Sequence, residues 1–232
     1  MLFLLVSLVL LSGCVRYDVG VEIKGQYQGQ ITQHIRLGEP LTNFSQREAQ
    51  QWLQTLENRA KRLHGKTQRL GDAEIQVTIP FSNGKELRDR FNQFFNPTGQ
   101  AGSDPEASTL VELTASLGFD QSNLLLIERD RLSLDVDLRS LGTLGDDQSL
   151  IINAQDVLNL EFALQTPWGA SIPEQNQTPV QQRGQQLVWQ LLPGQINHLE
   201  AVFWLPSTLG LGTVAIAGLV AGGATFKKYL NR

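Results

Sequence analysis

Hydrophobic and polar positions alternate with a period of two over much of this chain. Tyr17, Val19, Val21 and Ile23 alternate with Arg16, Asp18, Glu22 and Lys24, as in a strand with one buried face. Gly25 punctuates, and Ile31, Ile35 and Leu37 continue as a second strand. The same alternation recurs at Ala73–Phe81, Val111–Phe119, Leu132–Leu138, Leu158–Leu164, Leu187–Leu191 and Leu199–Phe203. Two segments change to helical spacing. Ser45 and Glu48 form an S-x-x-E capping box. Ala49, Trp52, Leu53, Leu56, Ala60 and Leu63 follow on one helical face, and Gly65 is the expected stop. Asn83 with Glu86 opens a second helix whose face is Leu87, Phe91, Phe94 and Phe95, ending before Pro97. Residues 97–108 read as a loop. The pattern predicts an α+β domain: a mostly antiparallel sheet of about eight strands, partly covered by two amphipathic helices.

The two ends have a different texture. Met1 to Val15 carry no charge, and the apolar stretch is too short to span a bilayer. Leu11-Ser12-Gly13-Cys14 has the form of a lipobox, which makes Cys14, the single cysteine, the expected lipidation site. The alternative is a cysteine inside a signal anchor, and no Lys or Arg precedes the apolar run as secretion signals normally require. At the other end, Ala201 to Phe226 lack Asp, Glu, Lys and Arg, and Lys227, Lys228 and Arg232 follow. A transmembrane helix over 206–226 with a basic cytoplasmic tail at 227–232 is the expectation, since Lys and Arg collect on the cytoplasmic side. Gly218 and Gly222 make a G-x-x-x-G spacing that would let a second helix approach closely. The chain therefore divides into a signal segment (1–13), an exported domain (14–205), a span and a tail. The domain would face the periplasm or lumen at a plasma or thylakoid membrane.

Charge sharpens this division. The 232 residues carry 19 basic and 23 acidic side chains, net −4, which argues against a nucleic-acid partner. Without Lys227, Lys228 and Arg232 the remainder is −7, so contact with an anionic lipid surface would need a local basic patch. One such patch is available. Arg59, Lys61, Arg62, Lys66 and Arg69 gather around the end of the first helix with His64 and are candidates for headgroup contact, beside the plainer role of complementing a helix dipole.

Catalytic chemistry has no comparable signal. There is no G-x-S-x-G elbow, P-loop or dinucleotide fingerprint, and His34, His64 and His198 form no metal-ligand spacing with each other or with Cys14. Asp135 and Asp137 share one strand face, and Asp146-Asp147 lie in a Gly-bearing segment, but both fit solvated polar positions better than calcium ligation. The Phe91, Phe94 and Phe95 stripe suits core packing better than an acyl-chain pocket. Nothing in the sequence implies a cofactor or metal.

Several blocks carry a resemblance: CVRYDVGVEI at 14–23, FNQFFNP at 91–97, LLLIERDRLSLDVDLRSLG at 124–142, LEFALQTPWGA at 160–170 and LVWQLLPGQINHLEAVFWLP at 187–206. Together they resemble a cyanobacterial and plastid family of membrane-anchored domains of unknown function, related to the LppM-type lipoproteins of mycobacteria. The resemblance implies an exported α+β domain with a C-terminal anchor, and the glycolipid association of the mycobacterial domains points toward lipid contact. It brings no catalytic residues. The combined expectation is a non-enzymatic, membrane-anchored lipoprotein whose domain binds a lipid or other amphiphile. The alternative is a scaffold or assembly factor that docks a membrane-protein partner.

Overall fold

The computed structural model describes residues 15–37, 46–96, 114–142, 158–173 and 178–230. Cys14, residues 1–13, Ser45, the loop at 97–108 and Asp146-Asp147 lie outside them. Eleven strands, β1 (Val15–Gly25), β2 (Gln28–Arg36), β3 (Lys66–Gly71), β4 (Glu74–Phe81), β5 (Thr114–Asn123), β6 (Ile127–Asp137), β7 (Leu158–Gln165), β8 (Ala170–Ser171), β9 (Val180–Arg183), β10 (Gln186–Gln190) and β11 (Ile196–Pro206), are described, with α1 (Gln46–Arg62), α2 (Gly84–Phe95) and α3 (Thr208–Leu230). The class is α+β, as expected, but the strands divide into two sheets. One has the order β3-β4-β2-β1-β7-β10-β9 and the other β5-β6-β11-β8. Pairing is antiparallel except between β1 and β7, which run parallel with Val15 opposite Leu158 and Glu22 opposite Gln165.

The alternating apolar positions fall where period-two geometry sends them. Val21, Ile31, Ile35, Ile75, Ile79 and Phe162 of the larger sheet, and Leu117, Leu132, Leu134, Leu199 and Phe203 of the smaller, are buried in one continuous core. Phe91, Phe94 and Phe95 pack into that core, with ring centroids 4.5 Å apart for Phe91–Phe95 and 5.1 Å for Phe94–Phe95. The phenylalanine stripe of α2 is therefore core. Trp189 is fully buried against Phe162 at 5.8 Å. Glycine stands where strands leave no room: a Cβ on Gly29 would sit 2.1 Å from the Phe81 ring.

One edge of the smaller sheet is closed by side chains. Asn92 of α2 donates to Leu117 O (3.0 Å) and accepts from Leu117 N (2.8 Å). One turn later Asn96 makes the same pair of bonds with Ala115. The i, i+4 spacing of the asparagines on the helix thus matches the i, i+2 spacing of outward-facing amides on β5. An edge that would otherwise recruit another strand is satisfied within the chain.

The C-terminal expectation requires correction. A helix does follow β11, but among the described residues no helix is long and apolar enough to cross a membrane. Its first turn belongs to the domain: Ser207 is buried and donates its N–H to Leu126 O at 2.9 Å. A Cβ on Gly210 would sit 1.5 Å from Leu125 O, so the helix docks backbone to backbone on the β5–β6 turn. The apolar run left beyond that contact, Leu211 to Phe226, is about 24 Å long at 1.5 Å per residue, against about 30 Å of hydrocarbon. Glycine, alanine and threonine make up much of it and dilute its hydropathy.

Candidate functional site

Apolar side chains exposed on a folded domain are informative when they cluster. Here they gather at the end of the sandwich from which α3 departs. Tyr27 in the β1–β2 turn is 61% exposed and Trp168 after β7 is 58% exposed; Trp204 near the end of β11 is also exposed. Gln26, beside Tyr27, accepts from Thr208 N at 3.2 Å and Thr208 Oγ1 at 3.0 Å, which ties the first turn to the root of α3. The β5–β6 turn adds Leu124, Leu125, Leu126 and Ile127, all exposed.

That turn is strained. Leu125 has φ +74°, and Leu126 N–H donates back to Leu124 O at 3.0 Å, the pattern of the rare γ-turn with positive φ. Leu124 N–H reaches Ile127 O at 2.8 Å, and Asn123 Oδ1 accepts from Leu125 N at 2.9 Å. A leucine gains nothing locally from this conformation, and the surrounding bonds hold it there. Strain and the exposure of four apolar side chains coincide in this one turn.

Beside this end lies an open cleft of 460 Å³ between the C-terminus of α1 and the N-terminus of α2, lined in part by Arg62, His64, Asn83, Lys85 and Arg90. Asn83 caps α2, its Oδ1 accepting from Glu86 N at 2.8 Å. The cleft belongs to the same end because Gly84 packs on Phe119 and Gln121 of β5, just before the leucine turn. Lys85 is paired with Asp89 at 2.6 Å and Arg90 with Glu86. The pairing with Lys85 holds the Asp89 carboxyl below its ordinary range. The left-handed stop of α1 is His64, at φ 59°, rather than Gly65. Gly65 is required for a different reason: a Cβ there would meet Ile79 and Thr78 O at 2.9 Å.

The five basic candidates separate. Arg69 is committed to Glu57 at 2.5 Å and also donates to Gln50. Arg59 is half-buried beside Tyr17, whose phenol is pushed well above its ordinary value by burial, with the nearby guanidinium opposing the shift. Lys61, Arg62 and Lys66 remain exposed at the helix end, with no ion pair among the described residues. Gly218 and Gly222 lie on α3, where an added Cβ would meet nothing within 4 Å.

A buried pair of carboxylates was missed by motif reasoning. Glu128 and Asp130 follow the inward phase of Leu132, Leu134 and Val136, and both are buried, Asp130 completely. Glu128 Oε1 accepts from Gln121 Nε2 at 2.9 Å, while Glu128 Oε2 and both oxygens of Asp130 have no hydrogen-bond partner. Burial first, and the neighbouring Glu128 charge second, push the Asp130 carboxyl up to about 7. The available signal was parity: two acids occupied positions that the flanking leucines mark as core.

The remaining polar sites are surface networks. His34 pairs with Glu74 at 2.7 Å, with Arg36 on the same carboxylate, and these contacts hold Glu74 below its ordinary range. Asp135 bonds His198 at 2.6 Å and Asp137 pairs with Arg139 at 2.7 Å. Ser116, Asp135 and His198 stand in one cross-strand row. The acid occupies the middle of that row, whereas a serine nucleophile needs the imidazole beside it. Among the described residues no group of three or more His, Cys, Asp or Glu is placed to hold a metal ion.

No curated protein matches the sequence. Among solved structures, the folded domain of the Mycobacterium tuberculosis LppM protein, determined by NMR, is similar at 10% identity and a TM-score of 0.44. That match covers 85% of this chain and 93% of the other. The model of the family described as protein of unknown function DUF3153 matches residues 21–232, and the chain belongs to that family.

Proposed function

We propose that this protein is a non-enzymatic lipoprotein, held at the outer face of a plasma or thylakoid membrane through Cys14, whose domain contacts an anionic amphiphile surface with the end that carries Tyr27, Leu124–Ile127, Trp168 and Trp204. The observation that carries the reading is the convergence of three separate turns and the end of β11 on one exposed, aromatic- and leucine-rich end, with a strained γ-turn among them. Tryptophan and tyrosine favour the boundary between water and hydrocarbon because their rings are apolar and their tips polar. Arg62, at the cleft beside that end, and the exposed Lys61 and Lys66 at the end of α1 supply the local positive charge that an acidic domain needs to approach anionic headgroups.

Vesicle co-flotation of the full chain tests this. Replacing Leu124 and Leu126 with Asp should lower binding to anionic vesicles about a hundredfold or more, as expected for withdrawing two leucine side chains from apolar contact. Arg62→Glu with Lys66→Glu should abolish the preference for anionic over neutral vesicles. Unchanged binding in both variants, with the fold retained, would refute the proposal.

A second reading, the docking of a membrane-protein partner, is favoured by α3. Leu211, Val214, Ile216, Leu219 and Val220 along it are exposed, and Gly218 and Gly222 leave room for close approach of another helix. Gly218→Leu with Gly222→Leu should then eliminate co-purifying protein without altering vesicle contact by the leucine turn.

A further inference from the structure

The root of the leucine turn is built on the two inward carboxylates of β6. Asp130 stands in the ladder between Gln121 of β5 and Phe203 of β11, and Glu128 between Asn123 and Leu205. Glu128 is followed backward along the strand by Ile127, the last residue of the turn, and Leu126 holds Ser207 at the start of α3. The facing elements bring no cation to the pair. Asp120 on β5, Arg129 and Arg131 on β6 and Glu200 on β11 alternate onto the outer side, where Arg131 pairs with Glu200 at 2.5 Å. From α2 the approach to Gln121 is made by Gly84, while Lys85 and Glu86 are paired with Asp89 and Arg90. Ser207 to Gly210 of the α3 root carry no charge.

Asp130 is completely buried, neither of its oxygens makes a hydrogen bond, and Glu128 stands two residues away on the same strand face, so ionising Asp130 carries a large desolvation and repulsion cost. We infer that Asp130, buried beside Glu128, holds a proton and acts as a proton-operated latch, which holds the leucine turn and the α3 root together when protonated and loosens them when the proton leaves. Loss of the Asp130 proton puts a buried, unpartnered negative charge under the turn, two residues from Glu128 on the same strand face. The direction follows from linkage. Because the folded state holds this proton above the pH at which an unfolded aspartate releases it, the latch weakens as pH rises from about 4 towards 7 and stays weak above that. The functional half of the inference, pH-dependent surface contact, rests on the membrane-contact reading; the proton held by Asp130 does not.

Hydrogen exchange of the full chain at about pH 5 and about pH 8, corrected for intrinsic exchange rates, separates the two. Amides of residues 121–130, 205 and 207–211 should lose protection by about tenfold at the higher pH, one unit of coupling being worth that factor. Asp130→Asn should flatten this difference, and Glu128→Gln, a second route to removing the repulsion, should do the same. Protection at these amides that does not change with pH in the unaltered protein, or that changes equally in both variants, overturns the latch. In parallel, binding to anionic vesicles should be stronger at pH 5, with a pH dependence that shrinks in Asp130→Asn. If protection responds as expected and vesicle binding is absent at both pH values, the latch stands and the membrane-contact reading falls.

Discussion

His64 occupies the left-handed position just past α1, where glycine is the residue without steric cost. A left-handed L-residue costs about 1 kcal/mol or more. His64→Gly should therefore raise stability by about 1 kcal/mol in urea denaturation, while Gly65→Ala should lower it because its Cβ meets Ile79 and Thr78 O. A histidine kept in this conformation at the mouth of the cleft, beside Arg62, fits the headgroup-contact role, and the same His64→Gly variant should bind anionic vesicles less well than the parent. Residue-level strain thus recurs at the two places assigned to contact, His64 and Leu125.

At the scale of elements, the asparagine pair on α2 does the work of a missing strand. Asn92→Ala leaves Leu117 with an unmatched N–H and C=O, and Asn96→Ala does the same at Ala115. Each should cost about 1–3 kcal/mol, measured by chemical denaturation. The double variant should also self-associate through the bared β5 edge, detectable by sedimentation. Elements with a hydrophobic period were legible in the sequence: β1, β4, β6 and both amphipathic helices follow directly from their buried positions. β3 was not, because Lys66–Gly71 is exposed throughout and pairs with β4 only through its backbone. The two-residue β8 and the polar β9 lack a pattern for the same reason. Division into two sheets was also beyond the pattern, since alternation reports that a strand has a buried face and not which sheet that face belongs to. The contact end was hidden differently. Its residues come from four turns or strand ends far apart in sequence, and only the run Leu124–Ile127, four consecutive apolar residues at a turn, marked it locally.

For the whole molecule, the geometry separates the expected anchor from the contact end. β1 begins at Val15, beside Cys14, and ends at Gly25, beside Tyr27 and the root of α3. These points are about 33 Å apart along the strand. An acyl group on Cys14 and the aromatic end can meet one bilayer only if β1 lies along its surface. Contact by the aromatic end is therefore a property of the domain itself, separate from any anchoring by Cys14. Trp168 and Trp204 sit at that end, while Trp189 is sealed in the core and Trp52 on α1 packs partly buried against it, so the protein carries its own reporters. The most direct test is quenching of tryptophan emission by lipids brominated near the headgroup, with the full chain bound to anionic vesicles. The account predicts strong quenching that disappears when Trp168 and Trp204 are both replaced with Phe. Vesicle-bound protein whose emission is unquenched, or equally quenched in the double variant, would contradict it.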